Sequence, residues 1–290
     1  MLVLTVGSYL FYIAKTTNVS DLQDALKATT VIYDKEGNQA GSLSGQKGTY
    51  VELDAISDSL ENAVIATEDR TFYKNSGINV KRFLLAIVSM GRFGGGSTIT
   101  QQLAKNAFLT QEQTVTRKAK EFFLSLELTK KYSKQEILTM YLNNAYFGNG
   151  VWGVEDASQK YFGTSAANLT VDEAATLAGM LKGPEIYNPI DNIQNATNRR
   201  NTVLANMVDD EKLSQADADS AAGVDMASRL VDTYQGTGDD YRYPSYFDAV
   251  IEEATKTYGL SEDEIVKNGY KKNGRWGMPT VLFIINFIHL

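Results

Sequence analysis

The hydrophobic pattern divides this chain into zones, and the first zone is the N-terminus. Met1 to Ala14 is a mainly apolar run with no charged residue before Lys15. The run is shorter than the roughly 20 residues that a membrane-spanning helix needs, and it lacks the basic start and small-residue cleavage site of a signal peptide. We therefore expect residues 1–14 to be a partial transmembrane anchor, with a signal-peptide core and a buried helix as alternatives.

The second zone, residues 15–57, is polar and rich in turn residues, which predicts a linker with short strands. Thr29–Tyr33 carries β-branched residues and runs into the polar stretch Asp34–Asn38, as a strand entering a turn does. Tyr50–Leu53 has the composition of a second short strand.

From Asp58 onward the apolar residues recur at helical spacing, so the predicted fold class is mainly α. We assign the main helical domain to 58–220, a further linker to 221–271 and an atypical tail to 272–290. Helix starts are marked by pairs in which a Ser, Thr or Asp caps the helix and a Glu three residues later bonds back: Asp58/Glu61, Ser133/Glu136, Thr170/Glu173 and Ser261/Glu264.

Composition narrows the chemistry. The chain has no cysteine, which excludes disulfides and thiolate sites. Its single histidine, His289, lies next to the C-terminus and argues against histidine-based catalysis, so acid–base work falls to carboxylates, Lys or Tyr. The net charge of -7 disfavours general nucleic-acid binding, and we expect no nucleic-acid partner.

Two segments have the composition of a site. Glu68 and Asp69 end an apolar helix and are followed by aromatics and a glycine, which suits the lip of a cleft where one acid is shielded. The alternative is a solvated helix end. The glycine run 94–96 leads into a Ser/Thr helix start that offers backbone N–H groups to an anion, with Lys105 on the same face. The alternative is a flexible loop with an ordinary N-cap.

Two further segments are less specific. Arg117 and Glu121 are one helical turn apart, an arrangement that is also common as surface decoration. The stretch Tyr141–Gly150 combines aromatics and glycines, which indicates tight packing more than catalysis.

In order and spacing these segments resemble the motifs of the family 51 glycosyltransferases, the glycan-polymerising part of bacterial class A penicillin-binding proteins. The resemblance covers about 58–200. One position departs from the pattern, because the family's His is Asn75 here, so no role of that His is transferred. The matching positions are Glu68, Asp69, Phe72 and Gly77, then 95–106, then Arg117, Lys118 and Glu121, then Lys134, Ile137 and 141–143, then Lys182, Pro184 and 187–189.

The resemblance implies a lysozyme-like fold and an enzyme that polymerises lipid II with inversion at the anomeric carbon. It assigns the catalytic base to Glu68. Glu121 would orient cations, stabilise the leaving group or hold a divalent ion, so Mg²⁺ or Mn²⁺ is a candidate cofactor. The implied substrate and pyrophosphate contacts are Ser97, Thr98, Gln101, Gln102, Lys105, Asn106, Arg117, Lys118 and Lys182, with Asp69, Phe72 and Asn143 in support.

The resemblance also implies partners and a location. The partners are lipid II, the growing glycan strand, the membrane and other cell-wall synthesis, division or elongation proteins. The location is the plasma membrane, with a single-pass anchor and the catalytic domain outside the cell. Two rival readings stay open, a cell-wall hydrolase on a related fold and a membrane-anchored scaffold without catalysis. The cations favour the polymerase, because cutting an uncharged glycosidic bond needs no pyrophosphate pocket.

The C-terminal stretch does not resemble the rest. No Ser-x-x-Lys transpeptidase motif follows the helical domain, so we expect no covalent penicillin binding by this chain. The apolar run from Val281 is too short to span a membrane. We expect residues from about 272 onward to arise from a frameshift, a premature end or an assembly error in a longer gene. The alternative is a tail that packs on the core or lies on the membrane surface.

Overall fold

The computed structural model describes residues 48–79, 97–109 and 115–231 and several shorter pieces. The shorter pieces are 22–27, 29–33, 39–44 and 283–284, with the single residues Ser8, Tyr12, Val19 and Lys256. Two compact units are present: 1–20 with 51–236, and 21–50 with 237–290. Nearly all of the predicted anchor lies outside the described residues. Within the described residues, no helix has the length and apolar content needed to cross a bilayer.

The first unit is helical, as the periodicity predicts. Three short 3₁₀ turns, Leu53–Ala55, Ala166–Asn168 and Met226–Arg229, connect its helices. The helices are α2 (Asp58–Glu68), α3 (Ile99–Phe108), α4 (Val115–Lys131), α5 (Lys134–Asn143), α6 (Val154–Phe162), α7 (Val171–Met180), α8 (Ile193–Asp209) and α9 (Gln215–Ala222), with α1 (Leu22–Lys27) in the second unit.

Helix starts follow local sequence rules closely. Capping boxes form at Ser133/Glu136 and Thr170/Glu173, as predicted. The predicted cap at Asp58 is wrong by one residue, because the Ser57 hydroxyl accepts the Leu60 N–H and Asp58 is already in the helix. The pair Ser261/Glu264 lies outside the described residues. These caps satisfy backbone N–H groups that have no partner inside the helix.

Two groups of helices build the core of this unit. Helix α7 contacts both α2 and α8, while α3 contacts α4 and α5. Residues 172–180 of α7 are all buried, and its small side chains permit close approach. At Gly179, for example, an added Cβ would come within 2.9 Å of the Arg199 side chain. Glu68 ends a helix of the first group, and Lys105 lies on a helix of the second.

The helical unit continues past residue 220, where the sequence places a linker. Arg200 on α8 donates to the carbonyl oxygens of Ala222 and Val224 at 2.7 and 2.8 Å. The Val231 N–H donates to the Tyr161 carbonyl at 3.1 Å. The predicted boundary therefore falls inside a packed part of the domain.

The second unit contains a small sheet with strand order β2-β1-β3. Strand β1 (Thr29–Tyr33), at the predicted position, pairs antiparallel with β2 (Gln39–Ser44) from Thr29↔Ser44 to Tyr33↔Gln39. The sequence did not indicate β2, because its Gly and Ser residues have low strand propensity. Of the tail 272–290, the structure describes only β3 (Phe283–Ile284), which lies parallel to β1. The frameshift remains a prediction.

The predicted second strand at Tyr50–Leu53 is wrong. A 3₁₀ turn begins at Leu53, and the main chain of Val51 bonds to a side chain instead of a neighbouring strand. The Asn143 amide accepts from the Val51 N–H and donates to the Val51 carbonyl, both at 2.8 Å. A buried amide can replace a strand partner in this way because it carries both a donor and an acceptor.

Candidate active site

Glu68 is the last residue of α2, and its carboxylate is held by a side chain from α3. The Gln102 amide donates from Nε2 to Glu68 Oε2 at 2.7 Å. The Tyr141 hydroxyl, on α5, donates to the Oε1 of the same amide at 3.0 Å. Burial, and then the negative charge of Glu68, raise the pKa of Tyr141 well above its usual value. Three helices thus converge on one carboxylate.

The neighbouring acid, Asp69, has a different environment. It is buried and accepts hydrogen bonds from the Thr71 hydroxyl at 3.0 Å and from the Ile99 N–H at 3.4 Å. Asn75 donates to both of its carboxylate oxygens at 3.1 and 2.9 Å. Asp69 therefore holds a loop together, whereas Glu68 stays partly exposed. Of the two acids, Asp69 is the buried one.

Asn75, the position that departs from the family pattern, bridges two charged groups. Its Oδ1 accepts from Lys134 Nζ at 3.0 Å and from the Gly77 N–H at 2.9 Å, while its Nδ2 binds Asp69. Lys134 also lies over the Phe72 ring at 4.6 Å. Burial lowers the pKa of Lys134, and Asp69 acts in the opposite direction. The amide supplies both a donor and an acceptor for this bridge.

Gly77 fixes the same loop against α4 and the start of α3. Its φ of +91° is strained for any residue with a side chain, and an added Cβ would lie 2.6 Å from the Ser125 carbonyl. The Thr98 hydroxyl donates to the Gly77 carbonyl at 2.6 Å. The loop after the acid pair is thus tied to the helix that carries Lys105.

A buried ion-pair cluster lies on α4. Glu121, only 1% exposed, accepts from Arg117 Nη1 at 2.8 Å and from Lys118 Nζ at 2.6 Å. Lys118 Nζ also donates to the Ser97 hydroxyl at 2.6 Å. One buried carboxylate is therefore balanced by two cations, which leaves a local excess of positive charge. Burial of an unpaired carboxylate would be costly, so the cluster depends on both cations.

Lys105 lies about one helical turn beyond Gln102 on α3, and its charge interacts with both this cluster and Glu68. Burial lowers the pKa of Lys105; Glu121 and Glu68 raise it, and Arg117 and Lys118 lower it further. Each of these four groups is close enough to affect the Lys105 ammonium. Three cations against two carboxylates make the neighbourhood net positive, which suits a polyanionic leaving group.

The structure gives several predicted binding residues other roles. Thr98 and Gln101 form the capping box of α3, with Gln101 Oε1 accepting the Thr98 N–H at 3.0 Å. Gln102 binds Glu68, and Asn106 is exposed. Lys182 is exposed near the Tyr187 ring, 5.8 Å from its centre, and no described contact joins it to Lys105.

The supporting residues are structural. Phe72 is fully buried, and Asn143 holds Val51 as described above. Sequence reasoning missed the contact of Tyr141 at the site and that of Lys134 in the supporting loop. Both residues belong to matched motifs, but only their contacts across the fold reveal what they do.

A divalent ion at Glu121 stays a prediction that the described residues do not favour. Both carboxylate oxygens of Glu121 are already bonded to cations, one to Arg117 and one to Lys118. Among the described residues, no group of three His, Cys, Asp or Glu side chains is arranged to hold a metal ion. Hard divalent cations usually need several oxygen ligands. The residues around Glu121 therefore do not fit such an ion.

Comparisons with known proteins show which family and relatives the chain resembles. The transglycosylase family profile matches residues 36–208. The chain is 68% identical over 268 residues to penicillin-binding protein 2a of Streptococcus pneumoniae, covering 92% of this chain and 37% of that protein. It is 38% identical over 249 residues to penicillin-binding protein 1F of Bacillus subtilis, covering 84% and 34%. The chain thus spans about a third of the length of these curated relatives.

A solved structure gives a weaker likeness. Penicillin-binding protein 1A from Haemophilus influenzae superposes with a TM-score of 0.42 at 23% identity, covering 83% of this chain and 25% of that one. The lysozyme-like character of the helical domain therefore stays a prediction.

Proposed function

The chain belongs to the transglycosylase family, and from that premise we propose that it is a peptidoglycan glycosyltransferase that polymerises lipid II into glycan strands. The observation that carries the proposal is the placement of a partly exposed carboxylate, Glu68, beside the cation cluster of Lys105, Arg117 and Lys118. Glycosyl transfer from a pyrophosphate donor needs both a base and a group of cations.

The base and the cations each act on one part of the reaction. The sugar 4-hydroxyl of lipid II attacks the anomeric carbon of the growing chain, and a new C–O bond forms as the bond to pyrophosphate breaks. The hydroxyl proton passes to the Glu68 carboxylate, because a neutral hydroxyl is a poor nucleophile. A single displacement inverts the anomeric centre, as in inverting glycosidases.

The leaving group carries the electron pair away as polyprenyl pyrophosphate. Lys105, Arg117 and Lys118 would stabilise its developing charge by charge-assisted hydrogen bonds. In this scheme Glu121 acts through those cations, holding Arg117 and Lys118 in place. Lys182 remains a further candidate for phosphate contact.

The proposal extends to location and partners. A glycosyltransferase acting on a polyprenyl-linked substrate must work at a membrane surface, and we place the catalytic domain on the outer side of the plasma membrane. The growing glycan strand would be the donor. Other cell-wall synthesis, division or elongation proteins are expected partners. A cell-wall hydrolase is the rival, but it has no use for three clustered cations.

The test is polymerisation of purified lipid II by the 290-residue chain, with gel separation of the products. A ladder of glycan chains that is blocked by a phosphoglycolipid inhibitor supports the proposal. A second sample receives finished glycan in place of lipid II. Shortening of that glycan, with no polymer from lipid II, would assign the chain to the hydrolases instead.

A further inference from the structure

The hydroxyl of Tyr141 makes an unusual contact for a buried tyrosine in this domain. Tyr132 and Tyr161, which are also buried, donate to main-chain carbonyl oxygens at 2.8 and 2.7 Å. Tyr141 is 1% exposed, and it donates to the side-chain amide of Gln102 at 3.0 Å. That amide in turn donates to Glu68 at 2.7 Å. The hydroxyl therefore reaches the predicted base through one intermediate group.

The donor and acceptor properties of the groups set the direction of these two hydrogen bonds. An ionised carboxylate only accepts, so the Gln102 amide must turn its NH₂ group toward Glu68 and its carbonyl toward Tyr141. The tyrosine hydroxyl supplies the donor that this carbonyl needs. Without the tyrosine hydroxyl, the Gln102 side-chain carbonyl loses its hydrogen-bond donor. The present orientation of the amide is then less stabilised.

We propose that Tyr141 is a positioning residue for glycosyl transfer, whose hydroxyl fixes the Gln102 amide so that the amide holds the Glu68 carboxylate in its proton-accepting orientation. The inference rests on the proposed function of Glu68. Tyr141 acts through Gln102, and the cations of Lys105, Arg117 and Lys118 lie outside this chain of contacts. Its loss should therefore affect turnover more than substrate binding.

The first variant is Tyr141→Phe, which keeps the buried ring and removes only the hydroxyl. We expect kcat for lipid II polymerisation to fall about tenfold, equivalent to about 1.4 kcal/mol in the barrier. KM and phosphoglycolipid affinity should stay within about twofold, because the phosphate contacts are intact. Tyr161→Phe is the matched control, since it removes a buried hydroxyl bonded to a main-chain carbonyl, and it should keep normal kcat.

A double-mutant cycle separates positioning from a general packing effect. Gln102→Leu should lower kcat on its own, and adding Tyr141→Phe should lower it no further, because the hydroxyl then has no amide to hold. Effects that multiply would overturn the proposal. If Tyr141→Phe does not fold, Gln102→Leu decides alone: a selective loss of kcat supports the proposal, and an unchanged kcat overturns it.

Failure of the proposed function and failure of the Tyr141 role give different results. If the unmodified chain makes no glycan from lipid II, the proposed function fails and the positioning role falls with it. If the unmodified chain polymerises lipid II and Tyr141→Phe keeps full kcat, the proposed function stands and only the role of Tyr141 is rejected.

Discussion

Two regions of the helical domain, one around Arg200 and one around Glu121, bury a charged side chain and use it differently. Near α9, Arg200 is 1% exposed and donates to Asn201, Ala222 and Val224 at 3.1, 2.7 and 2.8 Å. Near α4, the buried Glu121 binds two cations, and Lys105 lies close by. The first region uses its charge to hold main-chain groups, whereas the second retains an excess of positive charge.

Burial of a charge does not by itself mark a site. Burial lowers the pKa of Arg200, with Asp172 and Asp225 acting in the opposite direction, and it lowers the pKa of Lys105 in the same way. The two cations differ in the charged groups that surround them. Lys105 stands beside a partly exposed carboxylate and two further cations, an arrangement that can bind an anion and accept a proton.

Loss of the Glu68 carboxylate should affect activity more than any other change proposed here. Glu68→Gln should lower polymerisation at least about a thousandfold, because an amide cannot accept the acceptor's proton. The Tm should stay within a few degrees, since Gln102 can still bond to the new side chain. Gel analysis of lipid II products gives the activity and thermal unfolding gives the fold. Glu61→Gln, on the same helix, is the control and should polymerise normally; a folded Glu68→Gln protein that makes substantial polymer would contradict the assignment.

The next effect tests the structural side. Arg200→Met should lower the free energy of unfolding by about 3 kcal/mol, because the partly buried carbonyls of Ala222 and Val224 lose their donors. Activity per folded molecule should be unchanged. Urea unfolding measures the free energy of unfolding. Titration of the active sites with a phosphoglycolipid inhibitor gives the number of folded molecules by which the activity is divided. Arg70→Met, at an exposed arginine, should cost less than about 1 kcal/mol. Equal losses of unfolding free energy in both variants would show that the buried Arg200 stabilises the fold no more than an exposed arginine does.

The third effect tests the excess positive charge. Lys105→Ala should weaken phosphoglycolipid binding and kcat/KM about a hundredfold, since a charge-assisted contact in a partly buried site is lost. Lys130→Ala, which removes an exposed surface ion pair, is the control. Unchanged inhibitor affinity in Lys105→Ala would remove this residue from the phosphate site.

The same residue gives a pH dependence with a definite sign. The pKa of Lys105 is lowered mainly by burial, so the unliganded site loses this charge at a lower pH than a free lysine would. Inhibitor affinity should therefore fall as the pH rises through that lowered pKa. Lys105→Arg should keep affinity over the same range, because a guanidinium stays charged. An identical alkaline profile in both proteins would assign the titration to another group.

Sequence alone identifies the parts of this site whose rules are local. Helix caps, the helical period and the ordered motifs place Glu68, Lys105 and Glu121 on the correct elements. What it cannot provide are contacts between distant positions. Gln102 meets Glu68 across 34 residues and Tyr141 across 39. No spacing rule links such positions, because their proximity depends on how helices pack.

The prediction of a second strand in the linker is wrong for the same reason, a contact between distant positions. Tyr50–Leu53 has strand composition, but Val51 bonds to Asn143, 92 residues away. Local propensity is a weak guide where a tertiary contact supplies the backbone partner.

Asn75 gives the smallest expected effect, and it tests whether the loop beside the site is only structural. Asn75→Ala removes both donors to Asp69 and the acceptor for Lys134, and should lower the free energy of unfolding by about 2 kcal/mol. Asn75→His restores the residue type of the family pattern and can still donate to Asp69, so it should cost less than about 1 kcal/mol. Urea unfolding and lipid II polymerisation measure both variants. Polymerisation per folded molecule should stay within about twofold in each, because Glu68 and its partner Gln102 are untouched. A large loss of kcat in Asn75→Ala without a matching loss of stability would mean that Asn75 acts on the reaction itself. The loop held by Asp69 would then belong to the catalytic region rather than to its support.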